Sequence, residues 1–147
     1  MRDQFWSKYN LEELERDEWE ALCDGCALCC LHKLEDEDTG KVAVTDIRCR
    51  YLELDQCRCG DYENRHVNVP DCVPFDADTA KRFYWLPDTC AYRRLAMGRE
   101  LPYWHWLLSG DKSLVHSLEV SAKKQSVSEL GLPEDQWQER VVRWVEK

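Results

Sequence analysis

Hydrophobic positions recur along the chain in three different ways, and the differences divide it. Over residues 1–22, Leu11, Leu14, Trp19 and Leu22 stand at loosely helical spacing among acidic residues. Asn10 with Glu13, and Asp17 with Glu20, carry the capping-box pattern, in which one side chain accepts a backbone N–H and the carboxylate reaches back to another. This zone is predicted to be helical and to pack on the rest. Residues 23–90 show weak periodicity. Thr39-Gly40 reads as a turn, Val42 and Val44 alternate as a strand does, and Tyr51, Leu52 and Leu54 suggest a second short strand. Asp78 to Leu86 predicts a short helix stopped by Pro87, and Asp88 a cap for another over Thr89–Met97, ending at Gly98. The last zone, 91–147, closes on the most regular stripe of all. Pro133 takes a first helical position, Glu134 and Asp135 the positive end, and Trp137, Val141, Trp144 and Val145 recur at i, i+4, i+7 and i+8. That predicts a C-terminal helix whose apolar face packs in the core or docks a partner protein.

No repeat or low-complexity linker interrupts the chain, so one domain over 1–147 is expected: a helical N-terminal segment (1–22), a core (23–90) and a helical C-terminal part (91–147). The predicted class is α+β, small and helix-rich with short strands, organised around a polycysteine metal site. Composition supplies the reason for that last clause. Nine cysteines among 147 residues exceed ordinary usage but fall short of a secreted disulfide scaffold. The opening Met1-Arg-Asp-Gln-Phe-Trp6 has no apolar signal stretch and no apolar run approaches the ~20 residues of a membrane span, which predicts a cytoplasmic protein. In that reducing compartment, cysteines at short spacings read as metal ligands, and an odd count leaves one thiol outside any scheme of paired bridges. Twenty Lys and Arg against 29 Asp and Glu give a net charge of −9, which argues against nucleic acid and anionic membranes as partners.

Cys23-Asp-Gly-Cys26-Ala-Leu-Cys29-Cys30 concentrates the chemistry. A C-x2-C turn lets two thiolates converge on one ion, and Gly25 eases the tight backbone. Three cysteines at two-residue gaps also match the opening of bacterial cluster-binding runs. The tandem Cys29-Cys30 adds a constraint. Neighbouring side chains diverge by about 100° on a helix and about 180° on a strand, so the pair is expected to reach two centres, or different atoms of one cluster. Cys49, Cys57, Cys59, Cys72 and Cys90 follow at long, irregular gaps, as ligands gathered by the fold would. Eight thiolates complete two four-sulfur zinc sites or two cubanes with one cysteine to spare, whereas a single site leaves five free thiols exposed to oxidation.

These residues resemble the signature of the CxxCxxCC cysteine-cluster family of zinc- or iron-chelating proteins. The likeness continues at Cys49, at Cys59-Gly-Asp-Tyr62-Glu63-Asn-Arg65, which is similar to the family's C-x-x-Y-E-x-R segment, and at Cys72 and Cys90-Ala-Tyr92. Within the family the chain looks closest to the bacterial YcgN-type group, over nearly its whole length, including Trp85-Leu-Pro-Asp-Thr-Cys90-Ala-Tyr-Arg and Leu101-Pro-x-Trp104-His105. It departs at His66, where shorter relatives carry proline, so the loop before Cys72 is expected to differ. The resemblance implies Cys23, Cys26, Cys29, Cys30, Cys49, Cys59, Cys72 and Cys90 as the metal ligands and makes Cys57 the ninth. It implies no reaction. A related domain in flagellin lysine methylases favours an iron–sulfur centre, but no glycine-rich nucleotide loop accompanies it here, so methylation does not carry over.

Sulfur-only ligation suits zinc and iron–sulfur clusters alike; the tandem pair tips the reading toward iron. His32, two residues after Cys30, is the one histidine weighed as a further ligand. His66 and His116 have no supporting context, and His105, between two tryptophans, reads as a hydrogen-bonded packing position. Asp24, Asp36, Glu37 and Asp38 read as solvated loop, because hard carboxylates prefer hard cations. Cys57, if unligated, would be a reactive thiol with its pKa lowered by Arg58. Three functions are compatible with this site: a cytosolic metal-binding protein with a structural or metal-handling centre, an iron–sulfur enzyme or electron carrier, and a metal-stabilised interaction module.

Overall fold

A computed structural model of the chain describes residues 1–54, 57–69, 76–82, 85–123 and 126–145. Strand β1 (Leu31–Glu35) and strand β2 (Val42–Arg48) form its central hairpin, antiparallel from Leu31↔Arg48 to Glu35↔Val42. The predicted Thr39-Gly40 turn joins them. Gly40 adopts φ 73° and its N–H donates to the Asp36 carbonyl at 2.9 Å. The alternation at Val42 and Val44 belongs to a more deeply buried strand than alternation implies, since Val42, Ala43, Val44, Thr45 and Ile47 are all buried. Two-residue strands β3 (Leu52–Glu53) and β4 (Arg58–Cys59) pair with each other, Leu52 opposite Cys59.

The second edge of β2 overturns the C-terminal prediction. Glu134–Arg140 is a run of 3-10 turns, and Val141–Val145 is a strand. Strand β5 (Val127–Ser128) runs parallel to Ile47–Arg48, and β6 (Val141–Val145) antiparallel to Val42–Thr45. The reason is long-range. A buried strand must satisfy its N–H and C=O groups on both sides, and Val-Val-Arg-Trp-Val suits a pleated surface better than a helix. The apolar stripe then splits by strand alternation: Val141, Arg143 and Val145 turn inward, whereas Val142 (61% exposed) and Trp144 (59%) face solvent. The helix proposed to dock a partner does not form.

The helices are short: α1 (Phe5–Lys8), α2 (Arg16–Leu22), α3 (Arg65–Asn68), α4 (Ala77–Arg82), α5 (Ala91–Ala96), α6 (Trp106–Ser109) and α7 (Leu114–Ser117). Asn10 N–H donates to the Glu13 carboxylate at 2.9 Å, as the first box predicts, and opens a 3-10 turn. The second box lies at Glu15 and Glu18, not Asp17 and Glu20, with Glu15 N–H donating to Glu18 at 2.9 Å. Arg2 decides that choice. Its N–H (2.9 Å) and guanidinium (2.6 Å) hold the fully buried Glu18 carboxylate, which pins the helix start. Helix α4 begins one residue before Asp78 and is described to Arg82; residues 83 and 84 lie outside the described residues. Helix α5 starts after Cys90, later than the predicted Thr89, and ends as predicted at Gly98 (φ 73°), with Arg99 N–H donating to the Arg94 carbonyl at 2.7 Å. The mixed helix and strand content is that of an α+β protein.

Apolar packing comes in three clusters. The N-terminal helices close on α4 and α5 through Phe5, Leu11, Leu22, Ala80, Ala91, Tyr92 and Leu101. Ala27, Leu31, Leu52, Cys57 and Ala122 form a second cluster, and Cys26, Trp104 and Val115 a third. The cysteine-rich segment after α2 contributes to both of the smaller ones.

Candidate metal centre

The motif is positioned by the end of α2. A helix leaves its last carbonyls without partners inside the helix, and here three aromatic side chains from the C-terminal third take them. Tyr92 Oη donates to the Trp19 carbonyl (2.7 Å), Trp106 Nε1 to Ala21 (2.9 Å) and His105 Nε2 to Leu22 (2.8 Å). His105 Nδ1 accepts the Leu107 N–H at 3.1 Å, so the imidazole is the neutral Nε2–H form, and burial holds its pKa below the ordinary value. His105 is therefore the hydrogen-bonded packing residue the sequence predicts, and its bond lands on the carbonyl just before Cys23. Beyond Cys23 the chain bends tightly: Gly25 takes φ 78°, Ala27 φ 59°, and Asp24 Oδ1 accepts the Cys26 N–H at 2.9 Å. Leu28–Cys30 then form one 3-10 turn leading into β1.

Cys23, Cys26, Cys29 and Cys90 make a first group, in that Cys29 helps to raise the thiols of the other three. Cys90 joins it from the residue preceding α5. Enclosure by protein, then the neighbouring Cys29, pushes the Cys23 thiol up to about 12, although the residue itself is exposed at the surface. Burial pushes Cys90 up to about 11 and Cys26, with Asp24 beside it, well above the ordinary thiol value. Cys29 goes the other way, to about 7, through a hydrogen bond with the Cys30 thiol and the Lys33 ammonium, which itself donates to the Cys29 carbonyl at 3.1 Å.

Cys30, Cys49 and Cys59 make a second group. The β1–β2 ladder continues one pair past Leu31↔Arg48, with Cys49 N–H donating to the Cys30 carbonyl at 2.9 Å, so the two cysteines lie opposite each other. Leu52 N–H donates to the Cys49 carbonyl at 3.0 Å, and Leu52 pairs with Cys59. Burial raises the Cys49 thiol, with Glu129 and Cys59 adding to the effect. Glu129 straps this group from a distant segment. It accepts the Arg50 N–H at 2.7 Å, the Arg50 guanidinium at 3.2 Å and a bond from His32 Nε2 at 2.9 Å. His32 is engaged there and against the Trp137 ring, 4.7 Å between centroids.

Cys57 meets the first group through the Cys26 backbone. It is 2% exposed, within the second apolar cluster, at φ 51°, and its thiol donates to the Cys26 carbonyl at 3.8 Å. Burial raises its pKa despite the Lys123 ammonium; the Arg58 side chain, on which the reading of a reactive thiol depends, lies outside the described residues. Cys72 and the end of the loop after His66 also lie outside them. His116 bonds the Ser121 hydroxyl at 2.8 Å. Asp24, read as solvated, is in fact largely enclosed: burial raises its pKa, and its Oδ2 is buried without a hydrogen-bond partner among the described residues. Glu129 and Asp24 are the residues that sequence reasoning missed. Asp24 had a signal, its place inside the motif; Glu129 had none.

Among the described residues, no three His, Cys, Asp or Glu side chains stand around one point closely enough to hold an ion as they lie, so each group would have to close to do so. The donor set nonetheless fits a soft or borderline cation. It is sulfur-rich and partly buried, and its raised thiols would give up protons as metal entered. No helix among the described residues is long and apolar enough to cross a membrane.

Comparison with known proteins points the same way. Residues 22–91 match the CxxCxxCC family, described as a "Putative zinc- or iron-chelating domain". The chain is 52% identical to a UPF0260 protein of Marinobacter nauticus over 141 residues, covering 96% of this chain and 95% of that one. It is 51% identical to one from Ectopseudomonas mendocina and 50% identical to one from Azotobacter vinelandii, each over 94% of this chain and 93% of the relative. No solved structure matches.

Proposed function

The chain belongs to the UPF0260 family of bacterial proteins, with a zinc- or iron-chelating type of domain over residues 22–91, and from that premise we propose that it is a cytoplasmic metal-binding protein with two thiolate centres. The observation that supports this reading is the place of the tandem pair between two sets of cysteines. Cys29 acts on the thiols of Cys23, Cys26 and Cys90, while the Cys30 backbone lies opposite Cys49, which in turn is influenced by Cys59. Cys72, assigned by family resemblance, completes the second set of four, and Cys57 is the spare. Iron–sulfur clusters are preferred over zinc because three cysteines at two-residue gaps suit a cubane. When bound, either metal supplies cross-links between distant segments. Structural zinc contributes on the order of 10–16 kcal/mol of apparent binding energy, comparable with the ~5–15 kcal/mol stability of a whole domain. The centres are therefore structural or serve metal handling.

Protein purified without oxygen, with elemental analysis, acid-labile sulfide and a visible spectrum, tests the proposal. Iron with sulfide, at two centres per chain, is the expected result. Zinc alone at two per chain keeps the two-centre reading and replaces the metal; metal-free protein that resists reloading overturns both.

A further inference from the structure

Among the described residues β6 pairs only with β2, so it forms one edge of its sheet, and that edge differs from the one formed by β1. Strand β1 carries His32, Lys33 and Glu35, polar side chains of the kind that keep sheet edges from pairing. Strand β6 reads Val-Val-Arg-Trp-Val. Its one charged side chain is engaged within the chain, Arg143 Nη2 donating to the Trp85 carbonyl at 2.9 Å. Val142 and Trp144 stand out at 61% and 59% exposure. The ladder to β2 passes from Arg143 to Val141, which leaves Val142 without a partner residue there. Apart from that ladder, no backbone–backbone hydrogen bond among the described residues involves 141–145. An edge with open backbone groups and exposed apolar side chains is a template for another strand.

The segment that best fits this edge is the same segment from a second molecule. Residues 139–147, Glu-Arg-Val-Val-Arg-Trp-Val-Glu-Lys, are self-complementary about Arg143. Antiparallel pairing centred there sets Val141 against the partner's Val145 and Val142 against the partner's Trp144, an aromatic with a β-branched residue. The flanks match in charge. Arg140 meets the partner's Glu146 and Glu139 meets the partner's Lys147; Glu146 and Lys147, which lie outside the described residues, enter by sequence position alone. A register centred on Val142 or Trp144 loses both charge pairs. We propose that the chain associates with a second copy through β6, about a two-fold axis at Arg143, joining two four-stranded sheets into one of eight strands. Such pairing is closed, because each copy uses the same edge, so assembly stops at two. With five residues of edge and a net charge of −9 on each copy, association is weak and depends on protein concentration.

The test is sedimentation velocity on the full-length chain as purified, from micromolar to near-millimolar protein, under reducing conditions so that no intermolecular disulfide forms. Wild type is expected to pass from monomer to dimer and no further. Val142→Lys and Trp144→Lys change exposed positions and leave the core intact. Each is expected to weaken the dimer on the order of 10-fold, since the two-fold axis makes each substitution spoil two cross-strand pairs. The flanks test the register. Glu139→Lys or Lys147→Glu alone sets like charges opposite each other and is expected to weaken the dimer roughly 2–30-fold. The double variant exchanges the two charges and is expected to restore wild-type association. Wild type that stays monomeric, or that grows past two copies, overturns the proposal. So does a dimer indifferent to the two lysine substitutions at 142 and 144, or a double charge variant that associates no better than the single ones.

Discussion

The two sulfur groups meet at one peptide bond, yet they are held by unrelated parts of the molecule. The first hangs from the end of a helix. Tyr92, His105 and Trp106 take the carbonyls of α2, and the helical cluster around Phe5, Leu22 and Tyr92 lies behind it. The second hangs from the ends of strands and is strapped by Glu129, whose segment is sewn to β2 by β5, β6 and the paired Arg140–Asp46 contacts at 2.9 and 2.6 Å. Residues 22–91 match the chelating domain, but all four of these bracing side chains lie beyond Ala91. The ligands and their supports therefore come from different stretches of sequence, and each group should answer to its own support.

Removing all metal is the bluntest way to break this comparison, because it strikes both groups. A strong chelator under reducing conditions should lower the thermal midpoint sharply or abolish the transition, since the lost binding energy rivals the whole stability, ~5–15 kcal/mol. An unchanged unfolding curve on metal-free protein would contradict it. Next in size is His105→Ala. It empties a fully buried site and orphans the Leu22 carbonyl, at a cost of roughly 2–5 kcal/mol. Chelator release should quicken at one centre and not the other; loss from both at equal rates would show that the braces are not separate.

Glu129→Ala is the converse and smaller. It removes three polar contacts at a carboxylate 13% exposed, for about 1–3 kcal/mol. Faster release from the centre that His105→Ala leaves alone would complete the comparison, and release curves identical to wild type would count against the strap. Smallest is the pH effect at the foot of α2. Arg2 hydrogen bonding holds Glu18 down to about 2 from an ordinary 4.5. A depressed carboxyl pKa gives stability that is fully present above the unfolded value and is lost as pH falls toward the folded one. The thermal midpoint of wild type should therefore fall more steeply than that of Glu18→Gln between pH 4.5 and about 2, and parallel curves would remove Glu18 from the account.

What the sequence determined by itself is local in range. The Asn10/Glu13 box, the Thr39-Gly40 turn, the stop at Gly98 and the extended Val42–Val44 segment each depend on residues within a few positions, and each is where the pattern places it. The cysteine spacing is equally local, and the family's description of a zinc- or iron-chelating domain agrees with the metal chemistry read from it. Partners far apart in the chain were decided only by the tertiary structure. The stripe from Trp137 to Val145 is as good a helix pattern as any here, but β2 has backbone groups to satisfy, and the segment becomes a strand. Asp17/Glu20 lost to Glu15/Glu18 because Arg2 reaches Glu18. Asp24 and Glu129 look like ordinary surface acids until folding buries an oxygen of one and surrounds the other with Arg50 and His32. Short-range preferences cost little to read because few atoms decide them; which distant groups meet is set by the burial and hydrogen bonding of the whole chain at once.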